Sequence, residues 1–246
     1  MGLMWTACAH SPTTHSQTPP LATNVDIQFV VENHADGVYR SWKQVHLAAM
    51  ELQVAVEAFV AEPNEETLAA ARSTWIQARA LYGPTEVFRF QGGPIDRAGG
   101  PEGLINAWPL DEAYIDYVID APQSGIIQNA ATWSELSAEL LVNLNEKNGE
   151  ENIATGWHAI EFLLWGQDTD PNGPGNRPHT DYVLDGEAQN VERRVAYLRL
   201  ATALLVVHLE PLVQAWTPNQ PGNYRSEFVS KPETALASMM TGMGML

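Results

Sequence analysis

From Ile27 to Phe59 one set of positions returns every three or four residues: Ile27, Val30, Val31, His34, Val38, Trp42, Val45, Ala49, Leu52, Val56 and Phe59. That period places them on one face of an amphipathic helix of about nine turns at about 3.6 residues each. A helix this long needs partners along its whole length to bury the stripe. The rest of the chain must therefore supply helices rather than isolated turns.

The sequence offers several. Pro63 and Asn64 stop the first helix, and Glu65 and Glu66 open a second, where acidic side chains suit the positive end of the helix dipole. Its expected stripe is Leu68, Ala71, Trp75, Ala78, Leu81, Thr85 and Phe88. Residues 91–108 hold Gly92, Gly93, Pro94, Gly99, Gly100, Pro101 and Gly103, which exclude regular structure. A stretch of this length inside a compact domain usually has a functional role. Pro109 suits the first position of a short helix over Leu110 to Val118. Thr132 and Glu135 have capping-box spacing for a helix reaching Lys147, with Leu136, Leu140 and Leu144 inward.

A strongly apolar helix is expected over Ile153–Trp165, ended by Gly166 and followed by an irregular loop, Gln167–Thr180. Helical spacing resumes over Ala188–Trp216, with Pro211 expected to kink or shorten it. A last helix runs from Pro232 to Gly242. No convincing alternating strand and no internal repeat are visible. The expected fold class is all-α, a helical bundle.

Composition excludes several functions. Thirty acidic residues against thirteen basic give a net charge of -17, a surface that repels nucleic-acid backbones. Cys8 is the single cysteine, so neither an internal disulfide nor a cysteine-rich zinc site is available. The stretch Leu200–Leu209 is too short to span a bilayer. Residues 1–24 read either as the remnant of a lipoprotein signal, with Cys8 as the lipidated residue and a polar tether behind it, or as a plain disordered terminus.

The chemistry concentrates in Gly156-Trp157-His158-Ala159-Ile160-Glu161. His158 and Glu161 lie three apart and share a helix face. An imidazole nitrogen and a carboxylate so placed can bind one divalent or ferric ion, if a facing element adds further ligands. The alternative is a His–Glu hydrogen bond that fixes helix packing. Glu86, set among Tyr82-Gly83-Pro84-Thr85 and Val87-Phe88-Arg89-Phe90, is either a further ligand or the ion-pair partner of Arg89. Asp96 and Asp111 flank the glycine-rich segment and either close a site or cap turns. His34 and His208 read as satisfied core histidines. Neither an H-E-x-x-H pattern nor a G-x-S-x-G elbow is present.

Gly156–Asp168 resembles the signature of the imelysin-like family, which carries a G-x-H-x-x-E motif. The blocks Tyr82–Phe90, Asn106–Tyr114 and Gly173–Tyr182 resemble it as well. The resemblance spans roughly residues 25 to 244. It implies a fold of two helical bundles, a cell-envelope location (periplasmic or outer-membrane associated) and a link to iron uptake or iron regulation. Carried over by motif, the metal site is His158 and Glu161, with Glu86 as third member, and the cofactor is a divalent or ferric ion such as iron.

Family members continue past a segment like Thr241-Gly242-Met243-Gly244. Residues 25–246 are therefore expected to represent the first bundle, lacking the C-terminal part. Expected partners are a metal ion and the missing half or another envelope protein, with membrane contact only through a lipid anchor. Met239, Met240, Met243 and Met245 would then form an exposed apolar patch that favours association. A metallopeptidase, with Glu86 as general base, and a non-catalytic interaction module are the alternative functions.

Overall fold

The computed structural model describes residues 26–245. The expectations for Cys8, the signal remnant and the tether lie outside them. The described chain is all-α, and its elements follow the expected order with several corrections.

Helix α1 (Ile27–Ala61) starts at Asp26, whose carboxylate accepts from the Phe29 N–H. Its stripe buries Val31, Val38, Trp42, Val45, Leu52, Val56 and Phe59 completely or nearly so. Each such side chain contributes about 1.5–3 kcal/mol relative to exposure. Helix α2 (Glu65–Tyr82) opens with a reciprocal cap between Asn64 and Thr67. Its stripe ends on Tyr82, which is buried, whereas the expected Leu81 is exposed. The backbone tightens at this point into a 3-10 segment, Gly83–Phe88, which shifts the phase of the buried face.

The middle of the chain is built from single turns: α3 (Glu102–Ile105), α4 (Glu112–Ile115) and α5 (Gly125–Gln128). All three depart from expectation, the third having no signal in the sequence. The first lies inside the glycine-rich segment. The second is capped by Asp111, and Pro109 stands outside it after a cis Trp108–Pro109 bond. The helix expected from Thr132 starts instead at Ser137 and covers α6 (Ala138–Leu144) only. Thr132 donates its N–H to Asn129, so the capping-box spacing there marks a turn.

Helix α7 (Gly156–Trp165) carries the motif, and α8 (Val191–Trp216) runs unbroken through Pro211. By length and mean hydropathy, 1.4, α8 is apolar enough to cross a membrane, contrary to the reading of Leu200–Leu209 alone. Half of that apolar window is buried inside the bundle, as befits a core helix. Helix α9 (Tyr224–Ser230), which the periodicity did not signal, and α10 (Pro232–Met245) close the described chain. On α10 Met239 is buried, while Met240, Met243 and Met245 are exposed.

Helix α1 packs lengthwise between α2 and α8, and α7 lies against both α2 and α8. The motif helix is thereby held against both neighbours of α1 and is buried along most of its length.

Candidate functional site

Gly156 opens α7 with a φ of +84°, and a Cβ there would run into the Ile105 carbonyl. Only glycine lets the backbone of the glycine-rich segment approach the start of the motif helix so closely. The Asn145 side chain fixes the same end by accepting from the N–H groups of Ala154 (2.9 Å) and Thr155 (3.1 Å). The Thr155 hydroxyl donates to the Leu104 carbonyl at 3.0 Å. At the other end Gly166, at φ +70°, stops the helix. Arg72 then donates to the Leu164 carbonyl at 2.9 and 3.1 Å, a cation at the negative end of the helix dipole.

His158 is half-buried. Its Nδ1 lies 3.0 Å from the Ala107 carbonyl, which can only accept, so the proton sits on Nδ1 and the Nε2 lone pair is left free. Burial is the main force holding its pKa below the usual histidine value; the Ala107 bond opposes this and Arg79 adds to it. Trp108, 68% exposed, lies over the imidazole with ring centres 4.8 Å apart. One turn on, Glu161 makes no hydrogen bond among the described residues. Burial raises its pKa, with Arg79 opposing.

Both side chains line a cleft of about 650 Å3. Its walls are aromatic and apolar, including Trp75, Trp108, Phe162 and Trp165, and its rim carries Asp111, Glu112 and Asp168. None of the described lining residues is Lys or Arg. Glu112 is pushed up by burial and then by Asp168, with Arg177 opposing. The cleft is thus an aromatic hollow with surplus negative charge.

The expected His–Glu pair forms no mutual hydrogen bond among the described residues. Glu86 is not a member of the lining. One of its carboxylate oxygens lies 3.2 Å from Arg89, and the other accepts from Asn106 at 3.1 Å. The ion-pair alternative describes its contacts, and the base that a peptidase would need is engaged outside the cleft. Asp96 accepts from the Phe90 N–H, while Asp111 both caps α4 and reaches the cleft rim. His34 and His208 are not fully satisfied: among the described residues, His34 Nε2 and His208 Nδ1 are buried without a partner. His34 sits in an aromatic cluster with Phe88, Trp216 and Phe228.

Among the described residues, no three His, Cys, Asp or Glu side chains converge closely enough to hold a metal ion. The donor set of the cleft nevertheless suits one in kind. A neutral imidazole braced through its other nitrogen by a carbonyl is the usual state of a histidine ligand, and a carboxylate without a partner stands beside it.

Sequence reasoning missed a second group of charges altogether. Asp116 is wholly buried and receives Arg177 at 2.9 Å, Arg194 at 2.7 and 3.3 Å, and the Gln128 amide at 2.6 Å. Asp181 receives Arg177 at 2.9 Å and the Tyr117 hydroxyl at 2.6 Å. The signal was present in Arg194, a charge on the apolar stripe of α8, three residues after Val191 and four before Leu198.

The family model described as Imelysin matches residues 38–246. The chain belongs to the imelysin family. Over 149 residues, 61% of the chain, it is 36% identical to iron-regulated protein A of Synechococcus elongatus, covering 33% of that protein. A crystal structure described as that of an iron-regulated protein A precursor from Parabacteroides distasonis has the same fold, with a TM-score of 0.56 at 17% identity. That likeness covers 88% of this chain and 54% of the other. This imelysin-family chain therefore spans about a third to a half of the length of these relatives. Its G-x-H-x-x-E motif is the segment that builds the cleft floor.

Proposed function

We propose that this imelysin-family chain is a cell-envelope protein, periplasmic or associated with the outer membrane, that binds an iron-like cation in iron uptake or iron regulation. The observation that carries this reading is the His158–Glu161 pair: an imidazole with a free Nε2 lone pair and a carboxylate without a partner, on one helix face, inside a cleft rimmed by acidic side chains. His158 and Glu161 would be the direct ligands, with Asp111, Glu112 and Asp168 as the acidic rim that draws a cation in. Glu86, with its carboxylate on Arg89 and Asn106, would act through the chain segment that leads to Ala107 rather than as a ligand. Support also comes from the relatives, which bear the name iron-regulated protein A.

Calorimetric titration with ferrous, ferric and zinc ions tests the proposal. Saturable binding is expected for the iron ions, weakened at least tenfold in the double variant His158→Ala, Glu161→Ala. No saturable binding, or affinity unchanged in that variant, would overturn it.

A further inference from the structure

Two quantities in the cleft do not match a bare ion. The first is the number of donors. Iron in oxygen and nitrogen surroundings takes about six, while His158 and Glu161 offer two, and no third His, Cys, Asp or Glu joins them among the described residues. The second is space. The cleft holds about 650 Å3, within the range of about 300–1,000 Å3 in which organic ligands are bound. A hydrated ion needs only a few water volumes of about 30 Å3 each.

The walls say what fills the difference. Trp108 stands largely exposed over His158, and Trp75, Phe162 and Trp165 continue an aromatic surface around it. An exposed indole at the mouth of a concave site is an anchor for an apolar or planar partner. The rim selects by charge, since Asp111, Glu112, Glu161 and Asp168 face the cleft and no described lining residue is basic. Anionic ligands are repelled, and cationic ones gain from the carboxylates and from the indole faces together.

We propose that the cleft takes its metal as a positively charged chelate with open coordination positions. His158 and Glu161 complete the donor set, and Trp108 and Trp165 hold the apolar body of the chelator. This rests on the metal-binding reading above. A ferric ion held by the four oxygens of a linear dihydroxamate has this chemistry: two positions remain open and the complex keeps net positive charge. Ferric citrate has the opposite charge, and the ferrous ion has no organic body.

Calorimetry on the whole chain with these three probes tests the inference, the ferrous ion being handled anaerobically. The dihydroxamate complex is expected to bind at least tenfold more tightly than either ferrous ion or ferric citrate. Trp108→Ala should remove that margin, and because the indole is largely exposed the variant should keep the wild-type melting midpoint within a few degrees. Trp108→Phe should restore most of the margin. Ferrous ion binding as tightly as the chelate would overturn the inference and leave the metal reading standing; so would a margin that survives Trp108→Ala, or citrate binding as well as dihydroxamate. If none of the probes binds, or if chelate binding is untouched by His158→Ala, the metal reading fails and the inference with it.

Discussion

Phe162 touches two charged regions of opposite character. The Arg177 guanidinium lies 5.3 Å from its ring centre, and the same side chain lines the cleft. Around Arg177 every carboxylate is answered: Asp116 by two arginines and an amide, Asp181 by an arginine and a phenol. In the cleft Glu161 has no hydrogen-bond partner and Glu112 faces the like charge of Asp168. Burial acts on both regions in the same sense, disfavouring the charged form. Yet Asp116 ends below the usual aspartate value because Arg177 and Arg194 outweigh burial, while Glu161 ends above the usual glutamate value. The difference lies in the partners, not in the depth. The paired charges join distant segments of the fold, whereas the unpaired carboxylate is where the proposed ligand would supply a partner.

Removing a partner from the paired region should have the largest effect. Asp116→Ala leaves Arg177 and Arg194 buried without their shared carboxylate, and stability should fall by about 3–5 kcal/mol, read from urea unfolding. A loss under about 1 kcal/mol would mean that water reaches the network and that the contrast with the cleft is false. The matching change in the unpaired region should run the other way. Glu161→Gln removes a carboxylate that burial disfavours, so stability should hold or rise by less than about 1 kcal/mol, solvent screening at this half-exposed group keeping the gain small. The same variant should lose metal affinity. A clear destabilisation by Glu161→Gln would place Glu161 among the structural charges.

The smallest effect is that of pH. His34, His158 and His208 all have pKa values lowered by burial. The unfolded chain therefore takes up protons first as pH drops below about 6.5, and the folded state loses stability through that window. The raised values of Glu102, Glu112 and Glu161 have the opposite sign and return some stability nearer pH 4.3. The contribution of Asp116 goes only below its usual value, near pH 4. Between pH 7 and 5 the melting midpoint should fall by no more than about 3 °C. The double variant His34→Gln, His208→Gln should flatten that slope, and an unchanged slope would assign the protons elsewhere.

The long elements were legible because their period is long. The stripes of α1 and α8 repeat over many turns, and Asn64 and Gly166 mark the start of α2 and the end of α7 by local chemistry. The single turns were not, since four residues carry no period and their positions depend on tertiary contacts. Leu81 and Tyr82 exchanged roles because steps of three and of four from Ala78 both continue an α-helical stripe, and the tertiary packing that selects Tyr82 has no signature in the spacing. At the site, the shared face of His158 and Glu161 follows from helix geometry alone. The bond from His158 to Ala107 joins residues 51 apart and has no local signature. The same is true of Asp116 with Arg194, which are 78 apart.

Trp108 gives the cleft an optical consequence. Among the described tryptophans it alone is mostly exposed; the others are buried or half-buried. Its emission should stand to the red of the rest and be open to collisional quenchers. Acrylamide, being neutral, reaches the ring freely, whereas iodide must approach a rim of carboxylates that repels it. The ratio of the two quenching constants of Trp108 thus gauges the electrostatic potential at the mouth of the cleft without any bound ligand.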